Sequence, residues 1–199
     1  MKRLLDLVAA SAGLVVLAPV IAATALVVRV RLGSPVVFRQ VRPGLGERPF
    51  EMLKFRTMTD ARTPDGMLRP DGERLTATGR LLRRTSLDEL PSLVNVLRGD
   101  LSLVGPRPLL MRYLPHFTDR ERLRFTVRPG ITGWAQVHGR NDLAWDRRLA
   151  HDVWYVEHRS LALDLRILLQ TVGAVFRSRG VVEDPGAAML DLDAERTPR

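Results

Sequence analysis

Residues 7–28 carry no charge and are mostly apolar, with Lys2, Arg3 and Asp6 on one side and Arg29 and Arg31 on the other. At about 1.5 Å per helical residue, such a run is long enough to cross the hydrocarbon core of a bilayer. Beyond it the pattern changes to short apolar runs separated by Gly- and Pro-containing turns. Residues 36–38 read as a short strand. Residues 50–58 alternate apolar and polar, as a half-buried strand does, which predicts Lys54 and Arg56 on one face. Residues 59–73, with Pro64, Gly66, Pro70 and Gly72, read as a surface loop. Residues 75–84 form a short element, and residues 90–97 have helical spacing closed by Gly99. Residues 101–104 are strand-like, residues 109–125 read as a helix broken at Pro115, and residues 128–134 as an ordered loop. Two further helices are predicted at 144–157 and 162–176, the second with an apolar stripe through Leu165, Leu168, Leu169, Val172 and Phe176. The fold class expected is α+β and helix-rich. It has a membrane segment at 1–33, a compact domain at 34–183 with short strands and interfacial amphipathic helices, and a mobile tail at 184–199 that lacks apolar periodicity.

Three readings of the first segment compete. A secretory signal peptide would use Lys2-Arg3 as its basic end and Ala23-Thr24-Ala25 as a cleavage site, but Asp6 stands at the mouth of the apolar run and the run continues past the small residues. A straight span would carry Arg29 and Arg31 across the bilayer, against the positive-inside tendency. The third reading is a helix that enters one leaflet, bends at Pro19 and returns to the same face; it keeps both basic ends at the headgroups and is favoured. Trp134, Trp145, Trp154 and Tyr155 suit headgroup anchors and core aromatics equally.

Composition narrows the chemistry. The chain has 199 residues and no cysteine, which excludes disulfides, thiolate metal sites and cysteine nucleophiles. Net charge is +9, from 31 Lys+Arg against 22 Asp+Glu, and arginine far outnumbers lysine. That balance suits anionic partners, and the guanidinium fork matches phosphate oxygens in particular. The four histidines form no H-E-x-x-H pair, so a zinc site is not expected, and the phosphate-loop and dinucleotide fingerprints are missing. Asp142, Asp146 and Asp152 are assigned to a solvated or interfacial face.

The feature that stands out is Asp88-Glu89, two adjacent carboxylates between Arg80, Arg83 and Arg84 on one side and Arg98 and Arg107 on the other. Adjacent acids need cations nearby, supplied by arginines, a metal or both. Ser86-Leu87-Asp88-Glu89 also matches a capping box, and Asp88 as the cap would make Pro91 tolerable early in the helix. An ionised aspartate held at such a site can instead attack phosphorus. Arg107, in Gly105-Pro106-Arg107-Pro108, reads either as a phosphate ligand or as a salt bridge in a stiff turn. Lys54, Arg56 and Arg83 are ambiguous one at a time.

Six blocks in order carry a resemblance. They are Lys2-Arg3-x-x-Asp6 with the apolar run, Phe38-x-Gln40-x-Arg42-x-Gly44, Lys54-Phe55-Arg56-Thr57-Met58, Ser86 through Pro91, Asn95 through Pro108, and Arg128 through Val137. Over residues 1–183 the chain resembles the bacterial sugar transferases, specifically the small monotopic phosphoglycosyl transferases. The resemblance implies transfer of a sugar-1-phosphate from a UDP-sugar to a polyprenyl (undecaprenyl) phosphate, with release of UMP, through a covalent aspartyl phosphosugar and with Mg²⁺. The setting implied is the cytoplasmic face of the bacterial inner membrane, in one leaflet, with no nucleic acid partner. By the same resemblance Asp88 matches the nucleophile, and Glu89 its metal-associated partner in the dyad. Lys54, Arg83 and Arg107 match basic site positions, and Gln136 and Asp164 fall in motifs linked to the site. Lys2, Arg3, Asp6 and Pro19 belong to the membrane anchor. One departure is Ala18-Pro19 where the family commonly has Ser-Pro, which leaves the bend more to Pro19 and to Lys2, Arg3 and Asp6. Two rivals remain on residues alone: a non-catalytic membrane-anchored basic protein binding anionic lipid or nucleic acid, and a secreted basic domain after signal cleavage.

Overall fold

The computed structural model describes residues 1–139, 143–177 and 191–196. Its N-terminal apolar run forms two helices, α1 (Lys2–Val16) and α2 (Ala18–Leu32), bent by 64° at their junction. The break falls at Leu17 rather than at Pro19 itself. Pro19 sits in the first turn of α2, where its missing N–H costs nothing, while its ring opposes continuation of the preceding turn. Among the described residues no single helix is long and apolar enough to cross a membrane; the bent pair is, by length and composition.

The remaining elements follow in order. Strands β1 (Val37–Pro43) and β2 (Pro49–Phe55) form an antiparallel hairpin that sets Phe38 opposite Lys54, and Arg42 opposite Phe50. Helix α3 (Asp71–Arg74) is one turn. Helix α4 (Ala77–Arg84) is capped by the Thr76 hydroxyl, which accepts from the Gly79 N–H at 2.9 Å. Helix α5 (Ser92–Arg98) ends at Gly99, whose φ of 95° is the left-handed conformation a C-terminal glycine supplies. Strand β3 (Ser102–Val104) runs parallel to β4 (Gly130–Thr132). Helices α6 (Trp134–Val137), α7 (Trp145–His158), α8 (Leu161–Arg177) and α9 (Leu192–Arg196) complete the chain.

Both N-terminal helices pack on this domain. Ala10 of α1 is buried with Val96 and Leu101, and Val28 of α2 with Phe55 and Leu82. The charged start of α1 is clamped as well. Lys2 donates to Asp164 at 2.6 Å and to the Val104 carbonyl at 3.0 Å. Arg3 donates to the Val96 carbonyl at 2.7 Å, and buried Asp6 accepts from the Ser102 hydroxyl and the Leu103 N–H at 3.1 and 3.0 Å. The outward side of the pair remains bare: Leu4, Val8, Val15, Val16, Leu26 and Val30 are each more than half exposed.

Several expectations change. Residues 109–125 are two 3-10 turns, Met111–His116 and Glu121–Thr126, because Pro108 and Pro115 deny an α-helix its early donors and its interior. The loop at 128–134 contains β4, which finds its ladder on β3. Trp145 and Tyr155 are core residues, not anchors; Trp134 and Trp154 are partly buried and stack with ring centres 4.4 Å apart. The stripe on α8 splits. Leu165, Leu169 and Val172 face outward, whereas Ile167 is fully buried and Leu168 packs on its cluster; the Phe176 side chain lies outside the described residues. Asp152 is buried against Arg124 at 2.8 Å, while Asp146 is exposed and Asp142 lies outside the described residues. Within the tail expected to be mobile, α9 is docked: Leu192 is buried beside Tyr113 and Trp145, and Arg196 donates to both oxygens of Glu121 at 2.7 Å. The rest of that tail, apart from Asp191, lies outside the described residues.

Candidate active site

The acidic pair is presented by a turn, not by a helix cap. After α4 the chain passes through Ser86 in the left-handed region, at φ 57°, into a 3-10 turn over Leu87–Glu89, and Pro91 opens α5. The Ser86 side chain makes no capping hydrogen bond and Asp88 does not cap α5, so neither capping arrangement forms. Packing decides the turn's orientation. Leu87 and Leu90 pack on the Val28–Phe55–Leu82 cluster, which leaves Asp88 and Glu89 lining a cavity of about 610 Å³.

Cations from separate elements converge there. Lys54 of β2 and Arg107 of the loop after β3 each donate to the same Glu89 oxygen, both at 2.7 Å. Arg83 of α4 lines the cavity and donates to the Thr57 hydroxyl at 3.1 Å. Arg107 is held from behind: Arg124 donates to its carbonyl at 2.7 Å and to Asp152 at 2.8 Å. Its loop also passes backbone-on-backbone against β4, where a Cβ on Gly130 would lie 2.1 Å from the Gly105 nitrogen, so only glycine fits.

The two carboxylates differ sharply in charge state. Burial pushes Asp88 up to about 6; the Glu89 charge adds to this, and Lys54, Arg107 and Arg83 oppose it. Burial also works against ionisation of Glu89, but Arg107 and Lys54 outweigh it and hold that carboxyl well below the usual range. Burial lowers Lys54 from its ordinary value, and Glu89 raises Arg107. Asp88 is 7% exposed and takes no hydrogen bond from the described residues. The result is one fixed anion and, beside it, one carboxylate with both oxygens uncommitted.

Of the residues singled out in the sequence, the fold brings Lys54, Arg83, Asp88, Glu89, Arg107 and Gln136 to this cavity. Asp164 is not among its lining residues; it accepts from Lys2 and from the Tyr155 hydroxyl, both at 2.6 Å, and so belongs to the clamp on α1 with Lys2, Arg3 and Asp6. Pro19 belongs to the bend. Arg56 touches the cavity but is committed to the Leu32, Ser34 and Met58 carbonyls and to Asp60, because β2 ends at Phe55 and frees it from the strand face. Gln40, Arg42 and Arg148 also line the cavity and were not singled out as site residues. Gln40 and Arg42 had a legible signal: with Phe38 they occupy alternate positions of β1, the strand paired with the one bearing Lys54. Arg148 had none, since its approach depends on how α7 packs.

Among the described residues no group of three or more His, Asp or Glu side chains is arranged to hold a metal ion. The donor set nonetheless fits Mg²⁺, which binds through one or two carboxylates and completes its shell with substrate phosphates and water. Asp88 offers two uncommitted oxygens and Glu89 one.

A pair of unlike carboxylates in a cationic cavity defines a class of protein, an enzyme that handles phosphate esters. The family model for the bacterial sugar transferases matches residues 1–178, and the chain belongs to that family. It is 56% identical over 181 residues to the uncharacterized sugar transferase EpsL of Bacillus subtilis (strain 168), covering 91% of this chain and 90% of that protein. It is 42% identical over 181 residues to the UDP-glucose:undecaprenyl-phosphate glucose-1-phosphate transferase of Caulobacter vibrioides, covering 86% of this chain and 68% of that one. It is 39% identical over 188 residues to the UDP-N-acetylgalactosamine-undecaprenyl-phosphate N-acetylgalactosaminephosphotransferase of Aeromonas hydrophila, covering 90% of this chain but 44% of that one.

Proposed function

We propose that this enzyme transfers a sugar-1-phosphate from a UDP-sugar to a polyprenyl phosphate, undecaprenyl phosphate in bacteria, releasing UMP and initiating glycoconjugate assembly. The relatives from Caulobacter and Aeromonas, named for such transfers, support the reaction. The observation that carries the mechanism is the uncommitted Asp88 carboxylate beside a Glu89 pinned by Lys54 and Arg107.

An Asp88 oxygen attacks the sugar-linked phosphorus of the donor. A P–O bond to Asp88 forms, the P–O bond to UMP breaks, and UMP leaves with the electron pair. An oxygen of the polyprenyl phosphate then attacks the same phosphorus, the bond to Asp88 breaks, and the carboxylate is restored along with polyprenyl-diphospho-sugar. Arg83, Lys54 and Arg107 offset charge as it moves between entering and leaving oxygens. Glu89 keeps Lys54 and Arg107 in place. Asp88 and Glu89 would hold Mg²⁺, which when bound neutralises diphosphate charge. We infer insertion into a single leaflet from the cytoplasmic face, with the cavity at headgroup depth; what supports a path within one leaflet is the 64° bend, near which Gly13 and Leu17 form part of the cavity lining.

The test is intact-protein mass after incubation with donor alone, across a panel of UDP-sugars with Mg²⁺. The expected result is a mass increase equal to one phosphosugar, mapped to Asp88, with stoichiometric UMP. Asp88→Asn should show neither. No adduct and no UMP from any donor, or full turnover by Asp88→Asn, overturns the proposal; retained lipid or nucleic acid binding without turnover would favour the non-catalytic anchored protein.

A further inference from the structure

We infer that Arg42, Arg148 and the side-chain amide of Gln136 form a second phosphate subsite in the cavity, taking a phosphate monoester. We assign it to the phosphate of UMP in the first displacement and to the phosphate of the polyprenyl acceptor in the second.

Three observations carry this. First, the cations nearest the acidic pair are already engaged. Lys54 and Arg107 share Glu89 at 2.7 Å each, and Arg83 is tied to Thr57. A donor diphosphate brings two phosphates, and the one not under attack needs its own partners. Second, Arg42 lies on the cavity-facing side of β1, with Gln40 and Phe38 at the two preceding same-face positions. Its Cα is four residues along from that of Phe38, the partner of Lys54, which is roughly 13 Å at the rise of a strand. The hairpin therefore presents Lys54 and Arg42 at separate stations along one wall. Arg42 donates to the Gln40 side chain at 2.5 Å, and its Nε is buried with no partner. Third, both polar atoms of the Gln136 amide are buried without a partner in the same cavity. A buried donor left unpaired costs free energy, and a phosphate oxygen is what would pair it.

The electrostatics agree. Burial, then the neighbouring Arg107, push both Arg42 and Arg148 down to about 10, although Tyr113 favours the cation at both and Asp152 favours it at Arg148. Arg107 is thus a common charged neighbour of Lys54, Arg83, Arg42 and Arg148. An anion bound beside either arginine offsets part of its repulsion from Arg107.

Shared occupancy follows from the displacement geometry. In-line attack by Asp88 expels UMP on the side opposite its carboxylate. Attack on the phosphosugar-Asp88 bond must come from that same opposite side. The entering acceptor phosphate therefore occupies the station the UMP phosphate has left.

This inference rests on the proposed two-step reaction, and the experiment separates the two. Full-length wild type, Arg42→Gln, Arg148→Gln and Arg42→Lys are titrated with UMP and with uridine in detergent micelles. KM is then measured for the UDP-sugar and for polyprenyl phosphate. UMP affinity should fall roughly tenfold or more in the Gln variants, as expected when a charge-assisted contact is lost, with uridine affinity unchanged. KM for polyprenyl phosphate should rise by a similar factor, Arg42→Lys should recover part of both losses, and thermal unfolding should show all variants folded. If UMP affinity and both KM values stay at wild-type levels in folded variants, the subsite is wrong. If only one of the two phosphates is affected, shared occupancy is wrong. If wild type itself forms no adduct while the Gln variants still lose UMP, the subsite stands and the two-step reaction falls.

Discussion

At the scale of single residues, Asp88 and Glu89 make opposite demands on stability. Asp88 has a folded-state value of about 6 against an ordinary 3.8, so the folded protein binds that proton more tightly than the unfolded chain. Its contribution is therefore fully present below about pH 4 and is lost as pH rises through about 6; above that, the ionised carboxylate costs stability. In metal-free protein at pH 7.5, Asp88→Asn should raise thermal stability by about 1–3 kcal/mol while abolishing the adduct. Glu89→Gln should do the reverse, leaving Lys54 and Arg107 with no carboxylate between them, and cost about 1–3 kcal/mol. Calorimetry of the two variants beside wild type checks both signs; the pair is misread if they shift together. The same sign governs rate. In the proposed reaction, formation of the adduct would need ionised Asp88 and should fall as pH drops through about 6, and adding Mg²⁺ should move that limb to lower pH. A pH–rate profile flat from 5 to 8 contradicts it.

At the scale of elements, the loop carrying Arg107 is set by a buried ion pair at some distance from the chemistry. Arg124 and Asp152 have side chains 2% and 3% exposed, and Arg124 also holds the Arg107 carbonyl. Removing either partner alone, as in Asp152→Ala, should cost about 3–5 kcal/mol, because a buried charge is left unpaired. The double variant Arg124→Met/Asp152→Leu should recover most of that loss yet still react slowly, since nothing then fixes the Arg107 carbonyl. Recovery of both stability and rate would make the pair purely structural. How much of this was legible in the sequence depends on how local the deciding contact is. The β1–β2 hairpin could be read because alternation is a local property, although β1 runs five residues further than its apolar start indicates. The helix over 90–97 could be read from spacing and Gly99, but its start could not: Leu87 and Leu90 gain more by packing on Phe55 and Leu82 than Ser86 or Asp88 gains by capping. Asp88 and Glu89 were visible as an anomaly of charge. Arg148 and the Arg124–Asp152 pair were not, because they meet the site only through the packing of α7 on the Glu121–Thr126 turn, which no periodicity encodes.

At the scale of the whole molecule, the bent apolar pair and the cavity wall are one packed unit. The first turns of α1 are locked to the domain by Lys2, Arg3 and Asp6. Further along the bent pair, Gly13 and Leu17 join Phe38, Leu90 and Leu93 in the apolar lining of the cavity. In the proposed reaction a soluble donor would need the cationic lining, and a polyprenyl acceptor the apolar lining as well. Loosening the clamp should therefore separate the half-reactions. Asp6→Ala leaves the Ser102 hydroxyl and the Leu103 N–H without their acceptor and should cost about 1–3 kcal/mol, while Asp88, Glu89 and their cations stay on β2, α4 and the loops beside α5. Adduct formation from the UDP-sugar should stay within a few-fold of wild type. KM for polyprenyl phosphate should rise by roughly tenfold, the factor for about 1.4 kcal/mol of lost acceptor binding. Rapid-quench measurement of the adduct, set against steady-state turnover in lipid nanodiscs, resolves the two. Equal loss in both steps would mean that the clamp supports the fold as a whole and that the apolar wall plays no separate part in receiving the lipid.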